Sequence, residues 1–298
     1  MSKTIGLIAH DAGGAELLAN YAKQNTQHQY KFALMGPAIS VFNKVLGCIR
    51  NENYINATIS SDEILTGTSW QSDLEFNALK FAKSNKVKSI SFLDHWINYR
   101  ARFIRHMVEI LPDEIWVGDN HAMRIVKAEF NDIVIRKINN PYFIQLRKDF
   151  NTLKKTPKAH NKKTALFVSE NISGHALLKF NDINHFGYTE LDALTYLIKN
   201  FRFLPENIDQ IIIRPHPSDQ IKKYEAFINS QENIDIKISS LTDLAEDIHC
   251  STIVVGCQSM AMVVALLAQK KTIICIPPNK GYCNLPFQEL IYLRDIVV

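Results

Sequence analysis

Residues 4–14, TIGLIAHDAGG, run from an apolar hexad into His10-Asp11 and the paired glycines Gly13 and Gly14. A short apolar run bounded by turn residues reads as a buried strand of a parallel sheet. Ala15–Gln24, which follows, reads as a helix. The same succession recurs downstream. Further strands are expected at Tyr30–Met35, Ile64–Thr66, Ser89–Leu93, Glu114–Val117 and Ile133–Ile138, with helices at Ser72–Ser84 and His121–Phe130. Alternation of this kind implies right-handed βαβ units on a parallel sheet.

At Lys148–Lys163 the pattern breaks into KDFNTLKKTPKAHNKK, polar and basic without periodicity, the composition of a solvated connection. It then restarts with strands at Thr164–Val168, Gln210–Arg214, Ile234–Ile238, Ser251–Val255 and Thr272–Ile276, and helices at Leu191–Asn200 and Met260–Gln269. A chain of 298 residues suits two domains of about 150 residues, each able to bury its own core. The expected organisation is a Rossmann-like domain over 1–147, a basic linker over 148–163 and a second Rossmann-like domain over 164–298.

Composition narrows the function classes. Apolar residues at 46% and charged residues at 21% are ordinary for a globular α/β protein. A net charge of +4 is too mild to make nucleic acid the expected ligand. Cys48, Cys250, Cys257, Cys275 and Cys283 form no C-x-x-C pair, which argues against a disulfide framework or a zinc site. No stretch approaches the roughly 18 apolar residues of a membrane span, and the first apolar run is too short for a signal peptide. A cytoplasmic location is expected. The basic stretch 148–163, with Arg100, Arg102 and Arg105, adds the expectation of peripheral contact with an anionic inner-membrane surface.

In open α/β sheets, ligands bind outside the carboxyl ends of the strands. The segments that follow the strands are polar and glycine-containing almost throughout. In the first half they are His10-Asp11-Ala12-Gly13-Gly14, Gly67-Thr68-Ser69-Trp70, Asp94-His95-Trp96 and Gly118-Asp119-Asn120-His121. In the second half they are Ser169-Glu170-Asn171, Arg214-Pro215-His216-Pro217 and Gly256-Cys257-Gln258-Ser259. Any one of these could be turn chemistry. Their recurrence at one edge points to an active site in a cleft between the two halves.

Three segments carry the most chemistry. Asp11 follows the first strand and can serve as a general base or cap the next helix, and Gly13 and Gly14 permit close approach of an acceptor. The loop is not G-x-G-x-x-G, and no G-x-x-x-x-G-K-[ST] occurs, which weakens dinucleotide and P-loop readings. In Arg214-Pro-His216-Pro217, two prolines fix a histidine that can donate to a phosphate oxygen, with Arg214 adding charge. Gly256-Cys-Gln258-Ser259 opens an apolar helix whose N–H groups suit a phosphate, although Ser259 could equally be a plain N-cap. Ser169, Glu170 and Asn171 could line the same pocket. Glu190 could face the nucleotide or belong to a helix-capping arrangement. His95 and His121 lack metal-ligand spacing and no D-x-D occurs, so no metal and no other cofactor is expected.

Taken together, the Asp11-Ala-Gly-Gly14 loop, Arg214-Pro-His-Pro217, Gly256-Cys-Gln-Ser259 and the strand-loop Thr272–Pro278 resemble glycosyltransferases of the GT-B type. Within that group they are similar to bacterial sialyltransferase-like and surface-glycan enzymes. His216, Pro217 and Ser259 match the donor-phosphate motifs. The acidic-acidic-Gly motif is represented by Asp11-Ala-Gly alone, and the paired Ser/Thr-Ser by Gln258-Ser259. The resemblance implies a GT-B fold with two Rossmann-like domains facing a central cleft, the first taking the acceptor and the second the nucleotide-sugar donor. It also implies a nonulosonic acid on a CMP carrier and a glycan or lipid-linked acceptor in capsule or surface polysaccharide synthesis.

The function expected on this basis is inverting, metal-independent glycosyl transfer. Asp11 would be the base, with Asp94 and Asp119 its rivals, and His216 and Ser259 would stabilise the leaving phosphate. Gly13, Gly14, Thr68, Ser69, Asp94, His95, Asp119 and His121 would line the acceptor side. A sugar-nucleotide epimerase or hydrolase on the same fold is the alternative, since fold does not fix function. A two-domain binding protein is a third reading.

Overall fold

The opening hexad is strand β1, Thr4–Ala9, buried from its second residue onward. It runs parallel to β2 (Gln29–Leu34) on one side and β3 (Glu63–Thr66) on the other. β4 (Lys88–Leu93) continues the sheet beside β3. A two-stranded hairpin, β5 (Ile104–Arg105) and β6 (Val108–Glu109), interrupts the series. Its turn residues His106 and Met107 both have positive φ, 49° and 63°, the backbone that two-residue hairpin turns require. β7 (Glu114–Val117) and β8 (Val134–Lys137) complete a parallel sheet of order β2-β1-β3-β4-β7-β8. Because every pair is parallel, the loops after β1, β3, β4 and β7 all leave from one edge.

The helices between these strands are α1 (Ala12–Gln24), α2 (Pro37–Leu46), α3 (Tyr54–Ile59), α4 (Leu74–Ser84) and α5 (Asn120–Glu129). Leu7, Leu18, Phe42 and Phe92 are wholly buried and share one cluster. Burial of each such side chain contributes about 1.5–3 kcal/mol, so α1 and α2 are held to the sheet by packing. The structure describes residues 2–155, 162–231, 234–241 and 243–297. The chain divides into two compact units, Met1–Gln145 and Leu146–Val298, and helix α6 (Pro141–Leu153) runs through the division.

The second unit repeats the plan. β9 (Thr164–Val168), α7 (Ile172–Phe180), α8 (Glu190–Lys199), β10 (Gln210–Arg214), α9 (Ile221–Asn229), β11 (Asp235–Ile238), α10 (Leu244–Cys250), β12 (Ile253–Gly256), α11 (Met260–Leu267), β13 (Lys271–Ile274), β14 (Ile291–Tyr292) and α12 (Leu293–Ile296) follow in order. The parallel sheet has the order β11-β10-β9-β12-β13-β14. Strand order reverses between β9 and β12, the point at which doubly wound sheets leave room for ligands. The expected fold class, α/β with two Rossmann-like parallel sheets, is what the chain adopts.

Two expectations need correction. The stretch 148–163 is not an aperiodic linker from its start: Lys148–Leu153 belongs to α6. Asn140 Oδ1 accepts the Phe143 N–H at 3.0 Å and so caps that helix, and its Leu146 and Phe150 are buried. Residues 156–161 of that stretch lie outside the described residues. The arginines read as a membrane-facing cluster are bound to protein partners. Arg100 pairs with Glu109 at 2.7 Å, Arg102 with Asp94 at 2.8 Å and Arg105 with Asp73 at 3.1 Å. Among the described residues, no helix is long and apolar enough to cross a membrane.

Candidate functional site

Each unit gathers its polar strand-end residues into a cluster of its own. In the first unit, Asp11 occupies the N-cap position of α1 without a side-chain capping bond. Its Oδ1 lies 2.7 Å from Nδ1 of His10 instead. Gly13 lies two residues on, in the first turn of α1, and a Cβ built there would meet Asp94 Oδ2 at 2.2 Å. A Cβ on Gly14 would meet the Gly67 backbone at 3.1 Å. The space expected for an acceptor is therefore taken by Asp94 and by the loop after β3. The glycines are required because α1 starts directly against these neighbours.

Asp94 is fixed from its other side. Arg102 Nη1 donates to Asp94 Oδ1 at 2.8 Å, to Thr68 O at 3.1 Å and to Thr68 Oγ1 at 3.0 Å. One guanidinium thus ties the ends of β3 and β4 together. Ser69 is buried and its Oγ accepts the Gln71 N–H at 3.0 Å, a turn bond. His95 has no hydrogen-bond partner at its buried Nδ1. Burial, and then the Arg102 charge against the opposing pull of Asp94, holds its pKa below the ordinary histidine value.

Asp119 is engaged at both oxygens. Oδ1 caps α5 by accepting the Ala122 N–H at 2.8 Å, and Oδ2 accepts Trp96 Nε1–H at 2.8 Å. Asp119 thus caps α5 and holds the Trp96 indole. His121 Nδ1 accepts from Arg124 Nη2 at 2.7 Å along the same helix.

The sequence reading passed over one member of this cluster. Glu75, in the first turn of α4, is 4% exposed, and its Oε1 accepts the His10 N–H at 2.8 Å. Oε2 is buried without a partner. Burial pushes this carboxyl up to about 7 despite its backbone hydrogen bonds, and the Asp11 charge adds to the rise. The signal was present: Glu75 shares the stripe of Ala78, Leu79 and Ala82, all buried. An acid in phase with a helix's apolar face is costly unless it has a task or a partner.

In the second unit, the segment after β12 does open a helix, but its amides are already occupied. Glu170 Oε1 accepts the N–H groups of Gln258 at 2.5 Å and Ser259 at 2.8 Å. Burial raises this carboxyl to about 7 against the opposing backbone bonds from Gln258, Ser259 and Cys257. Ser259 stands at the N-cap position but makes no capping bond, and its buried Oγ has no partner. Gly256 is required by packing, since a Cβ there would lie 2.7 Å from Met262 Sδ and 2.8 Å from Val168 Cγ2. Gln258 Oε1 accepts from Asn284 Nδ2 at 3.0 Å.

The loop after β10 fixes a histidine in one tautomer. His216 Nδ1 lies 3.2 Å from the Ser218 N–H and 2.7 Å from Ser218 Oγ. Since the backbone N–H can only donate, Nδ1 is an acceptor and the proton sits on Nε2. Asn171 caps α7 through Gly174 N–H at 3.1 Å and donates to Ser218 Oγ at 2.9 Å, so the loops after β9 and β10 are stitched together. Burial, then the neighbouring His175, lowers the His216 pKa and keeps the ring neutral. Pro217 is exposed in the same turn.

Arg214 does not join His216. Its guanidinium binds the buried Asp247 and donates to Leu241 O at 3.2 Å. The residue is on the strand face that points toward α10, which corrects the expected phosphate contact. Glu190 likewise turns inward, bonded to Lys223 and to Ser173 N and Oγ at 3.0 and 2.6 Å. Burial raises Glu190, but Lys223 and Ser173 overcome it and hold the carboxyl below its ordinary value. Ser169 Oγ lies 2.6 Å from Tyr224 OH, which donates to Asp219 at 2.5 Å. Asp219 also binds Lys223 at 2.7 Å. This buried chain supports the loop that carries His216.

No family model and no curated protein matches the chain. Solved structures do. A UDP-GlcNAc 2-epimerase from Methanocaldococcus jannaschii superposes over 99% of this chain and 91% of its own, with a TM-score of 0.66 and 11% identity. A UDP-GlcNAc 2-epimerase from Neisseria meningitidis bound to UDP-GlcNAc covers 100% and 90%, with a TM-score of 0.63 and 11% identity. A UDP-glucosyltransferase from Polygonum tinctorium covers 95% and 81%, with a TM-score of 0.50 and 9% identity. At these identities the likeness shows the fold, which is of the GT-B type.

Proposed function

We propose that this chain acts on a UDP-sugar and needs no acceptor: a sugar-nucleotide epimerase or hydrolase. Glycosyl transfer from a CMP-activated nonulosonic acid is less well supported, because the UDP-GlcNAc 2-epimerases superpose with higher TM-scores, 0.66 and 0.63, than the UDP-glucosyltransferase at 0.50, and all three are named for UDP-sugars. The observation that carries the nucleotide reading is His216. Its tautomer is set by Ser218 so that Nε2–H is a donor in the loop after a strand end, the chemistry that suits a diphosphate oxygen.

Inversion of the carbon beside the anomeric centre requires removal of its hydrogen and return of a proton to the opposite face. A carboxylate takes the C2 proton while the C1–oxygen bond to UDP breaks, leaving a C1=C2 double bond and free UDP. Re-addition of UDP at C1 with protonation at C2 from the other face gives the epimer, and addition of water gives hydrolysis. In the first unit Asp11 is proposed as the carboxylate that moves the proton, with Asp94 held by Arg102 as the second. Glu75 positions the His10–Asp11 turn from behind. In the second unit His216 is proposed to stabilise UDP as it leaves. Two acids of unlike surroundings suit a proton taken on one face and given on the other.

Incubating the protein with UDP-GlcNAc alone tests this. The proposal expects a second UDP-N-acetylhexosamine, or UDP with the released sugar, in the absence of any acceptor. Turnover only of a CMP-sugar, and only with an acceptor present, would return the transferase reading.

A further inference from the structure

The segments after β9 and β10 bring two histidines to one place. His175 is the fourth residue of α7, and its backbone N–H closes the first turn on Asn171 O at 3.0 Å. His216 lies in the loop after β10. The two rings pack edge-on, with centroids 5.9 Å apart and planes at 78°. Asn171 ties their supports together: its Oδ1 accepts the Gly174 N–H at 3.1 Å and its Nδ2 donates to Ser218 Oγ at 2.9 Å. Both histidines are partly exposed.

His216 donates from Nε2, because its Nδ1 accepts the Ser218 N–H. Among the described residues, that Nε2–H has no hydrogen-bond partner. The charges around it are already matched. Asp219, the acid that acts on this ring, binds Lys223 at 2.7 Å and accepts from Tyr224 OH at 2.5 Å, and Lys223 also binds Glu190. The empty site resists positive charge. Burial first, then His175, lowers the His216 pKa, with Asp219 opposing this and Lys223 adding to it. An anion set against both rings removes that penalty.

We propose that His175 is the second donor of a two-imidazole clamp for a diphosphate, binding one ligand together with His216. The inference rests on the reading of His216 as a phosphate donor and extends it to a residue on another element. A diphosphate carries oxygens on two adjacent phosphorus atoms, so it can engage two donors set apart by the width of a ring. Each imidazole contributes one N–H bond, strengthened by the charge of the ligand.

Packing against His216 is the rival role for His175, and two substitutions separate donor from ring. His175→Phe keeps an aromatic ring against His216 and removes the donor. His175→Gln keeps a donor and removes the ring. The intact chain is titrated calorimetrically with pyrophosphate, and in a second series with UDP. His175→Phe is expected to weaken pyrophosphate binding about ten- to a hundredfold, the worth of one charge-assisted hydrogen bond, while His175→Gln stays within about threefold of the wild type. His175→Leu, likewise without a donor, should show the same loss and replaces the Phe variant if that chain does not fold. Wild-type affinity in the donor-free variants, a loss in His175→Gln as large as theirs, or a wild type that does not bind pyrophosphate would overturn the assignment. The expected pattern with pyrophosphate, in a chain that does not bind UDP, would uphold the clamp and remove the UDP-sugar reading.

Discussion

The Glu170 carboxylate accepts the Ser259 backbone N–H at 2.8 Å, so the protein's own anion sits at the start of the helix where a phosphate was expected. A nucleotide diphosphate near this helix meets that charge. Removing it should favour UDP. Glu170→Gln is expected to tighten UDP binding about fivefold at pH 8, equivalent to about 1 kcal/mol, with a smaller gain at pH 6, where the wild-type carboxyl is already protonated. Calorimetric titration at the two pH values checks this. Equal affinities for both proteins at pH 8 would mean that UDP does not approach Glu170.

The two raised carboxyls also shape stability. Glu75 and Glu170 hold their protons up to about 7 in the folded chain, against 4.5 for an exposed glutamate. Between those values the folded state binds more protons than the unfolded state, so their contribution to stability falls as pH rises from about 4.5 to 7. Below that window the contribution is fully present. The double variant Glu75→Gln/Glu170→Gln should gain on the wild type by on the order of 2–5 kcal/mol between pH 5 and pH 8. Urea unfolding across this range gives the difference curve, and a flat difference would show that neither carboxyl titrates high.

His216→Ala should leave folding intact and weaken UDP binding by about 1.5–3 kcal/mol, the worth of one charge-assisted hydrogen bond. Among the described residues, Ser218 bonds the imidazole at Nδ1 and the His175 ring packs edge-on to it at 5.9 Å. Unchanged UDP affinity in a folded variant would remove His216 from the site.

Gly13→Ala places a methyl carbon 2.2 Å from Asp94 Oδ2. Either Asp94 leaves Arg102 or α1 shifts, and overpacking of this kind costs about 1–3 kcal/mol. A drop in melting temperature together with loss of turnover is expected. A variant as stable and active as the wild type would show that Asp94 has other room.

Asp11 and Asp119 should separate cleanly. Asp119→Ala removes a helix cap and a Trp96 partner and should cost about 1 kcal/mol of stability with turnover largely kept. Asp11→Asn should lose about 10²–10⁴ in kcat with UDP affinity kept. The reverse pattern would move the chemistry to the end of β7.

The strands were legible because buried parallel strands are short continuous apolar runs. β1, β7, β9 and β10 fall at Thr4–Ala9, Glu114–Val117, Thr164–Val168 and Gln210–Arg214, as read. Helices with a thin buried stripe were not. α6 hides only Leu146 and Phe150 within its charged second half, so that half reads as a polar, basic stretch, and α7 leaves Leu177 and Leu178 exposed, so its apolar residues do not fall on one buried face. In the two clusters, position along the chain identified the loops but not the direction of each side chain. Arg214 faces α10 because β10 alternates, and Glu190 turns toward Lys223. Neither partner is near in sequence. Arg102 was read as surface charge because Asp94, eight residues away, becomes its neighbour only once the β4 loop has folded back.

The central claim is that the chain moves a proton on the sugar carbon beside the UDP linkage. Proton NMR of UDP-GlcNAc incubated with the protein in D2O, without acceptor or added metal, tests it most directly. The account predicts loss of the C2 proton signal as solvent deuterium enters that position, together with a second UDP-sugar or released UDP, and no such loss with Asp11→Asn. UDP-GlcNAc recovered unchanged with its C2 proton intact would contradict it.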